Sequence, residues 1–305
     1  MPMIARNVLT ILILLAAATA AQARQHLVNA GSEWQKLDGQ IKPGDEIILM
    51  PGLHKPAVFR NLQGTADGRI VIRALDQSHP VKIEADRYGL RLQSPRFVTV
   101  RDVQIEGATV CGLLIDNQVV DDWRPLRKTD DGEEETDGEP PAQIILQRVS
   151  ISHTGPTGKR HALEARGVGG LRIVDCRFNA WAGSAIEIIG CSDVNVLNCN
   201  FTGQDDHSQT DGVRVRAGSA RVLVDHCRFD HAAARCVSIG SASEVEDFRP
   251  PIAEDARPGS VFEAQQVTVT YCIFTGGGIP FYLCHADRSS IRNNTVLRGG
   301  PWVIA

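Results

Sequence analysis

The residues best placed to do chemistry lie in three short stretches of one design: "ALEAR" (Ala162–Arg166), "AIEII" (Ala185–Ile189) and "GVRVR" (Gly212–Arg216). Each alternates apolar with charged or small side chains, the period of a half-buried β-strand. With Leu163, Ala165, Ile186, Ile188, Val213, Val215, Val237 and Ile239 turned inward, Leu114, Glu164, Glu187, Arg214 and Ser238 form one outward column. Arg166, Ile189 and Arg216 form a second, while His161, Ser184, Asp211 and Arg235 lie just ahead of the strands. Glu164 and Glu187 on adjacent rungs would stand about 5 Å apart at the backbone. Retaining glycosidases hold their carboxyl pair at this separation, and like charge at such range raises one of the two pKa values. Arg166, Arg214, Arg216 and Arg235 carry the bidentate donors that recognise sugar carboxylates or sulfates. A proton-abstracting base would come from His161, His207 or His231 rather than from an arginine, which keeps its proton. The catalytic candidates are therefore Glu164, Glu187, Arg214, Asp211 and His161, and the substrate-binding ones Arg166, Arg216 and Arg235. The same charges also suit a surface ion-pair ladder, which needs no substrate.

A fourth stretch, "GQDDHSQTDG" (Gly203–Gly212), is the most reactive-looking turn. Asp205 and Asp206 are candidate ligands for calcium, the one cofactor the sequence suggests, and with His207 and Asp211 they also make candidate acid–base pairs. Asp-rich turns form for a plainer reason as well, since the side chains hydrogen-bond the local backbone. No Walker loop, dinucleotide fingerprint, zinc-spaced Cys/His set or nucleophile elbow occurs.

These strands need a frame, and a repeat supplies it. "LRIVDCRF" (Leu171–Phe178), "VNVLNCNF" (Val194–Phe201), "VLVDHCRF" (Val222–Phe229) and "VTVTYCIF" (Val267–Phe274) share alternating apolar residues, a two-residue interruption and Cys-x-Phe. "FVTVRDVQI" (Phe97–Ile105) and "QIILQRVSI" (Gln143–Ile151) follow the same plan with Val103 and Val149 in the cysteine position. The repeats start at Ile144, Leu171, Val194 and Val222, spaced 27, 23 and 28 residues apart, and the next interval is 45, to Val267. A period of this size with several short strands and no helical pattern indicates an all-β solenoid, a single-stranded parallel β-helix. Cys176, Cys199, Cys227 and Cys272 then stack at one inward position beside Phe178, Phe201, Phe229 and Phe274. Valine at the equivalent place argues for packing there and against a metal or a disulfide. Cys111, Cys191, Cys236 and Cys284 stay open in this respect.

The 305 residues carry a formal charge of −4, which leaves no basic footprint for nucleic acid. At the amino end Arg6, the apolar run Val8–Ala18 and the small-x-small "AQA" have the form of a signal peptide over 1–23. The mature chain, 24–305, is thus expected to be a monomer that is secreted, periplasmic or on the cell surface. No later segment is apolar enough to span a membrane. Trp34, Leu37 and Ile41 share one helical face, which predicts a cap helix over 31–41 at the open end of the solenoid. Two segments break the repeat: an acidic loop at 127–142 with seven acidic residues, and a long loop at 244–265 of the kind that walls a cleft.

"IKPGDEIILMPGLHKPAVF" with "GTADGRIVIRA" (within Ile41–Ala74), followed by the coils, resembles secreted right-handed parallel β-helix proteins of the pectin-lyase-like superfamily. The opening is similar to chondroitinase-B and alginate-lyase-type polysaccharide lyases, and the later coils to bacterial β-helix repeat proteins. The resemblance implies β-elimination, hydrolysis or epimerisation on an acidic polysaccharide, with a basic residue removing the proton beside a carboxylate that calcium or protein groups neutralise. The lyase catalytic motif does not map residue by residue onto this chain. A carbohydrate-binding or structural β-helix without catalysis is the alternative.

Overall fold

The structure, a computed structural model, describes residues 23–117, 142–249, 251–252, 261–301 and 303–304. The expected signal peptide, apart from Ala23, the acidic loop up to residue 141, and residues 250 and 253–260 of the long loop lie outside these.

Each coil contributes one strand to each of three sheets, and every strand pairs in parallel with its counterpart one coil on. Among the described residues one sheet has eleven strands and the other two have nine each. The repeat read from sequence is the register of the large sheet: Ile144, Leu171, Val194, Val222 and Val267 are successive Cα partners.

The turn from this sheet into the next is made by a single residue in the left-handed region: Asp102, Arg148, Asp175, Asn198, His226 and Tyr271 all have φ between 51° and 62°. Asp and Asn tolerate that conformation better than most non-glycine residues. Turn backbone also joins the ladder, with Asp175 N–H donating to Leu197 O at 3.1 Å and Asn198 N–H to Asp225 O at 3.0 Å. The residue after the turn points inward, which is the cysteine position. Cys176, Cys199, Cys227 and Cys272 are buried, and all eight cysteines are free thiols. Burial pushes the Cys191 and Cys236 thiols up to about 12, so at neutral pH they stay protonated and inert.

Two residues further on, Phe178, Phe201, Phe229 and Phe274 stack nearly parallel with centroids 5.1, 4.4 and 4.8 Å apart. The third sheet passes over this stack on small residues. A Cβ at Gly212 would lie 2.4 Å from the Cys236 carbonyl oxygen and 3.0 Å from the Phe229 ring, so only glycine fits that approach.

The expected cap helix does not form. Within 31–41 only Trp34–Leu37 is helical, as one 3-10 turn. The chain instead uses Gln25–Val28 as a strand paired with Glu46–Leu49, so its first described residues already make a rung. What remains must bridge two strands, and positive-φ glycines at Gly31 and Gly39 close it off. Trp34 still plugs the core end. It is buried edge-on against Phe59 with centroids 5.4 Å apart, its Nε1–H donating to Lys55 O at 2.7 Å.

Candidate functional site

The third sheet carries the charged columns, on strands Cys111–Asp116, His161–Arg166, Ser184–Ile189, Asp211–Arg216, Arg235–Ile239 and Ile279–Leu283. Leu114, Glu164, Glu187, Arg214, Ser238 and Tyr282 are successive partners in one outward column. Asp116, Arg166, Ile189 and Arg216 make the second, and Ser184, Asp211 and Arg235 align at the strand starts.

Outward in the pleat does not mean exposed here. Glu187 and Asp211 are both 0% accessible. Glu187 Oε2 accepts from Ser184 Oγ at 2.5 Å, and Oε1 accepts from Arg216 Nε at 2.6 Å with Arg214 Nη1 at 3.7 Å. Burial pushes this carboxyl up, but the His161 ring, the Arg214 and Arg216 guanidiniums and the Ser184 hydroxyl around it bring it below its ordinary value. The arginines carry that balance, because the Ser184 N–H donates to His161 Nδ1 at 2.9 Å and so places the ring proton on Nε2. Asp211 behaves in the opposite sense. Its oxygens accept from Ser238 Oγ and, at 2.8 Å, from Arg235 Nη2, yet burial outweighs these partners and raises its pKa. Trp181 Nε1–H fixes the start of this strand by donating to the Asp211 carbonyl at 2.8 Å.

A segment of the long loop walls one side of this face. Arg216 Nη1 donates to Ser243 Oγ at 3.1 Å and to Asp247 at 2.6 Å, and Arg214 Nη2 donates to Ser241 Oγ. Buried Glu263 holds the base of the segment, accepting from Ala217 N–H at 2.9 Å, Ser243 N–H at 2.7 Å and Ser243 Oγ at 2.6 Å. Phe248 closes over Ile189 and Ala217 as a small second core. Gly218 permits this contact, since a Cβ there would stand 2.7 Å from the Arg249 carbonyl oxygen.

The sequence candidates therefore divide. Glu187, Arg214, Arg216, His161, Asp211 and Arg235 share one network. Glu164 is in register with Glu187, but its carboxylate is bound by Arg166. His207 and His231 pair with their own neighbours Asp206, at 2.7 Å, and Asp230, at 3.0 Å. Asp205 and Asp206 are exposed, and among the described residues no group of three or more His, Cys, Asp or Glu converges to hold a metal. Ser184, Ser238, Ser241, Ser243, Asp247, Glu263 and Tyr282 belong to the network without having been assigned a role from sequence. Ser184 and Ser238 were legible from the register; Asp247 and Glu263 sit in an insertion that carries no period.

One donor is left over. Arg214 Nε is buried with no hydrogen-bond partner among the described residues, although its guanidinium lies near both Glu187 and Asp211. Arg235 lies over the Tyr282 ring at 5.1 Å, its side chain partly exposed.

No curated protein matches the sequence. Among solved structures, the alginate lyase from Paenibacillus sp. str. FPU-7 aligns over 92% of this chain and 98% of its own, at 13% identity and a TM-score of 0.52. Pectate lyase Pel9A aligns over 90% of this chain and 78% of its own, at 12% identity and a TM-score of 0.41. At 13% identity the first likeness is one of fold. Residues 142–300, more than half of the chain, match the family described as "Right handed beta helix region", which sets the hand of the solenoid. Three parallel sheets and this match together make the chain a member of the right-handed β-helix family.

Proposed function

We propose that the chain acts on an acidic polysaccharide at the face formed by Arg214, Arg235, His161 and the buried carboxylates beneath them, as a lyase in preference to a hydrolase. The observation that carries this reading is Arg214, a guanidinium fixed by Glu187 and Ser241 whose side chain keeps 19% of its surface exposed on this face. A preorganised guanidinium is suited to neutralise a uronate carboxylate as charge builds on the sugar. Elimination then breaks the C5–H and C4–O4 bonds and forms a C4=C5 double bond, the C5 proton passing in net terms to the leaving oxygen. His161 contributes Nε2–H as a hydrogen-bond donor to a sugar oxygen, since its Nδ1 is already occupied. Hydrolysis by the Glu164/Glu187 pair is less well supported: Glu187 is held ionised, and the carboxyl with the raised pKa is Asp211, which solvent does not reach.

The likeness to an alginate lyase supports the substrate class, and the apolar amino-terminal stretch supports export to where such polymers occur. A second reading, glycan binding without turnover, is favoured by the complete burial of both central carboxylates. The deciding experiment is product formation on a panel of uronate polysaccharides, with and without calcium, following new reducing ends and the ultraviolet absorbance of an unsaturated uronate. Both signals, lost in Arg214→Ala, are expected. Reducing ends without absorbance would replace elimination by hydrolysis, and saturable binding without product would establish the second reading.

A further inference from the structure

The sheet that carries the phenylalanine stack has an outward face of another kind. Arg177, Asn200, Arg228 and Ile273 follow one another on successive rungs, with Asn179, Thr202 and Asp230 beside them. Arg177, Asn200 and Arg228 are exposed, and among the described residues neither guanidinium has an ion-pair or hydrogen-bond partner. At the adjoining turn His226 and Tyr271 stack with centroids 5.1 Å apart, with side-chain exposure of 63% for His226 and residue exposure of 55% for Tyr271. Ile273, next to them, is also exposed.

Rungs are about 4.8 Å apart, so Arg177 and Arg228 stand roughly 9.6 Å from each other at the backbone. A sugar in an extended chain advances by about one rung. A uronate chain lying along the helix axis would thus bring a carboxylate to Arg177 and another to Arg228, with a neutral sugar edge over Asn200. Tyr271 and Ile273 supply the apolar surface on which a sugar ring face rests. Two cations over three rungs match a chain with one carboxylate per sugar or per pair of sugars and are too few for a densely sulfated one.

We propose that this face is a second binding surface, for a uronic-acid polysaccharide, separate from the candidate site on the neighbouring sheet. The polysaccharide is held there by guanidinium–carboxylate pairs two rungs apart, and among the described residues no carboxylate network of the kind that commits Arg216 lies beneath the surface.

Affinity electrophoresis of the full chain in gels containing polygalacturonate, alginate, dextran or dextran sulfate tests this. Wild-type protein should be retarded by polygalacturonate or alginate and not by dextran, with the effect weakening as salt rises. The double variant Arg177→Ala, Arg228→Ala should bind at least tenfold more weakly with an unchanged thermal midpoint, and Tyr271→Ala should show a smaller loss. Arg235→Ala should keep the retardation whatever it does to turnover, which separates this surface from the candidate site. Undiminished retardation in the double variant, or none in wild type, would overturn the proposal. Tighter binding to dextran sulfate than to either uronate, lost in the same double variant, would overturn the choice of uronate.

Discussion

Two outward faces of one solenoid handle arginine in opposite ways. On the candidate-site sheet Arg216 is gripped by Glu187, Ser243 and Asp247, and Arg235 is bound to Asp211 and laid over Tyr282. On the phenylalanine-bearing sheet Arg177 and Arg228 are exposed and have no such partner among the described residues. Both columns come from the same alternation, so the pleat alone does not separate them. The difference comes from what each sheet is followed by. The candidate-site strands lead into a segment that folds back and is pinned by Glu263, whereas the other face has no such cover among the described residues. An arginine under cover is an orienting element; an arginine in the open is a charge available to a partner.

The sharpest way to break this contrast is Arg216→Ala. It strips from buried Glu187 the nearer of its two guanidinium partners and frees Asp247, so stability should fall by about 3 kcal/mol, the lower end for breaking a buried pair, read from denaturant unfolding. A loss near zero would mean that the covered face is no more committed than the open one.

A smaller effect is expected from pH. Glu187 lies below its ordinary value of 4.5, so just under that value the unfolded chain binds more protons and stability falls on acidification. Asp211 lies above its ordinary 3.8, so just over that value the folded chain binds more protons and stability rises on acidification. The two partly cancel. Asp211→Asn should therefore steepen the loss of thermal midpoint between about pH 5 and pH 4, and Glu187→Gln should flatten it. Parallel slopes in both variants and wild type would refute the assignment of opposite shifts.

The smallest effect belongs to the open face. Arg228→Ala alone should leave the unfolding midpoint where it is, as surface substitutions away from packing do. A clear drop in stability would show that this arginine is held by contacts of its own.

Much of this was legible in the sequence because interior positions obey a strict period. The Cys/Val position and the phenylalanines two residues on are forced inward by the left-handed turn residue, and the spacing of the coils is their register. The outward columns were legible for the same reason. Their burial was not, since Glu187 is covered by a segment whose residues carry no repeat. That is why two carboxylates one rung apart looked like an exposed catalytic pair, when one of them is locked by serine and arginine. The cap failed differently. Trp34, Leu37 and Ile41 fit a helical face, but Gln25–Val28 had already been taken up as a strand, and the short span between two paired strands has room for one turn.

The four stacked phenylalanines also give the folding reaction a starting place. Coils before Phe178 carry Ile83, Ile105 and Ile151 at the same position. Closing one coil fixes a loop of similar length wherever it happens, and loop-closure entropy changes only slowly with length. The rate at each rung then depends on how strongly the two coils hold once they meet, and stacked aromatic rings, which bury more surface and add a contact energy of their own, hold better than branched aliphatic side chains. The first stable pair of coils should form in the phenylalanine segment, with later coils added outward in both directions. The candidate site lies over these same coils, so it would be among the first parts of the chain to assemble and among the last to come apart.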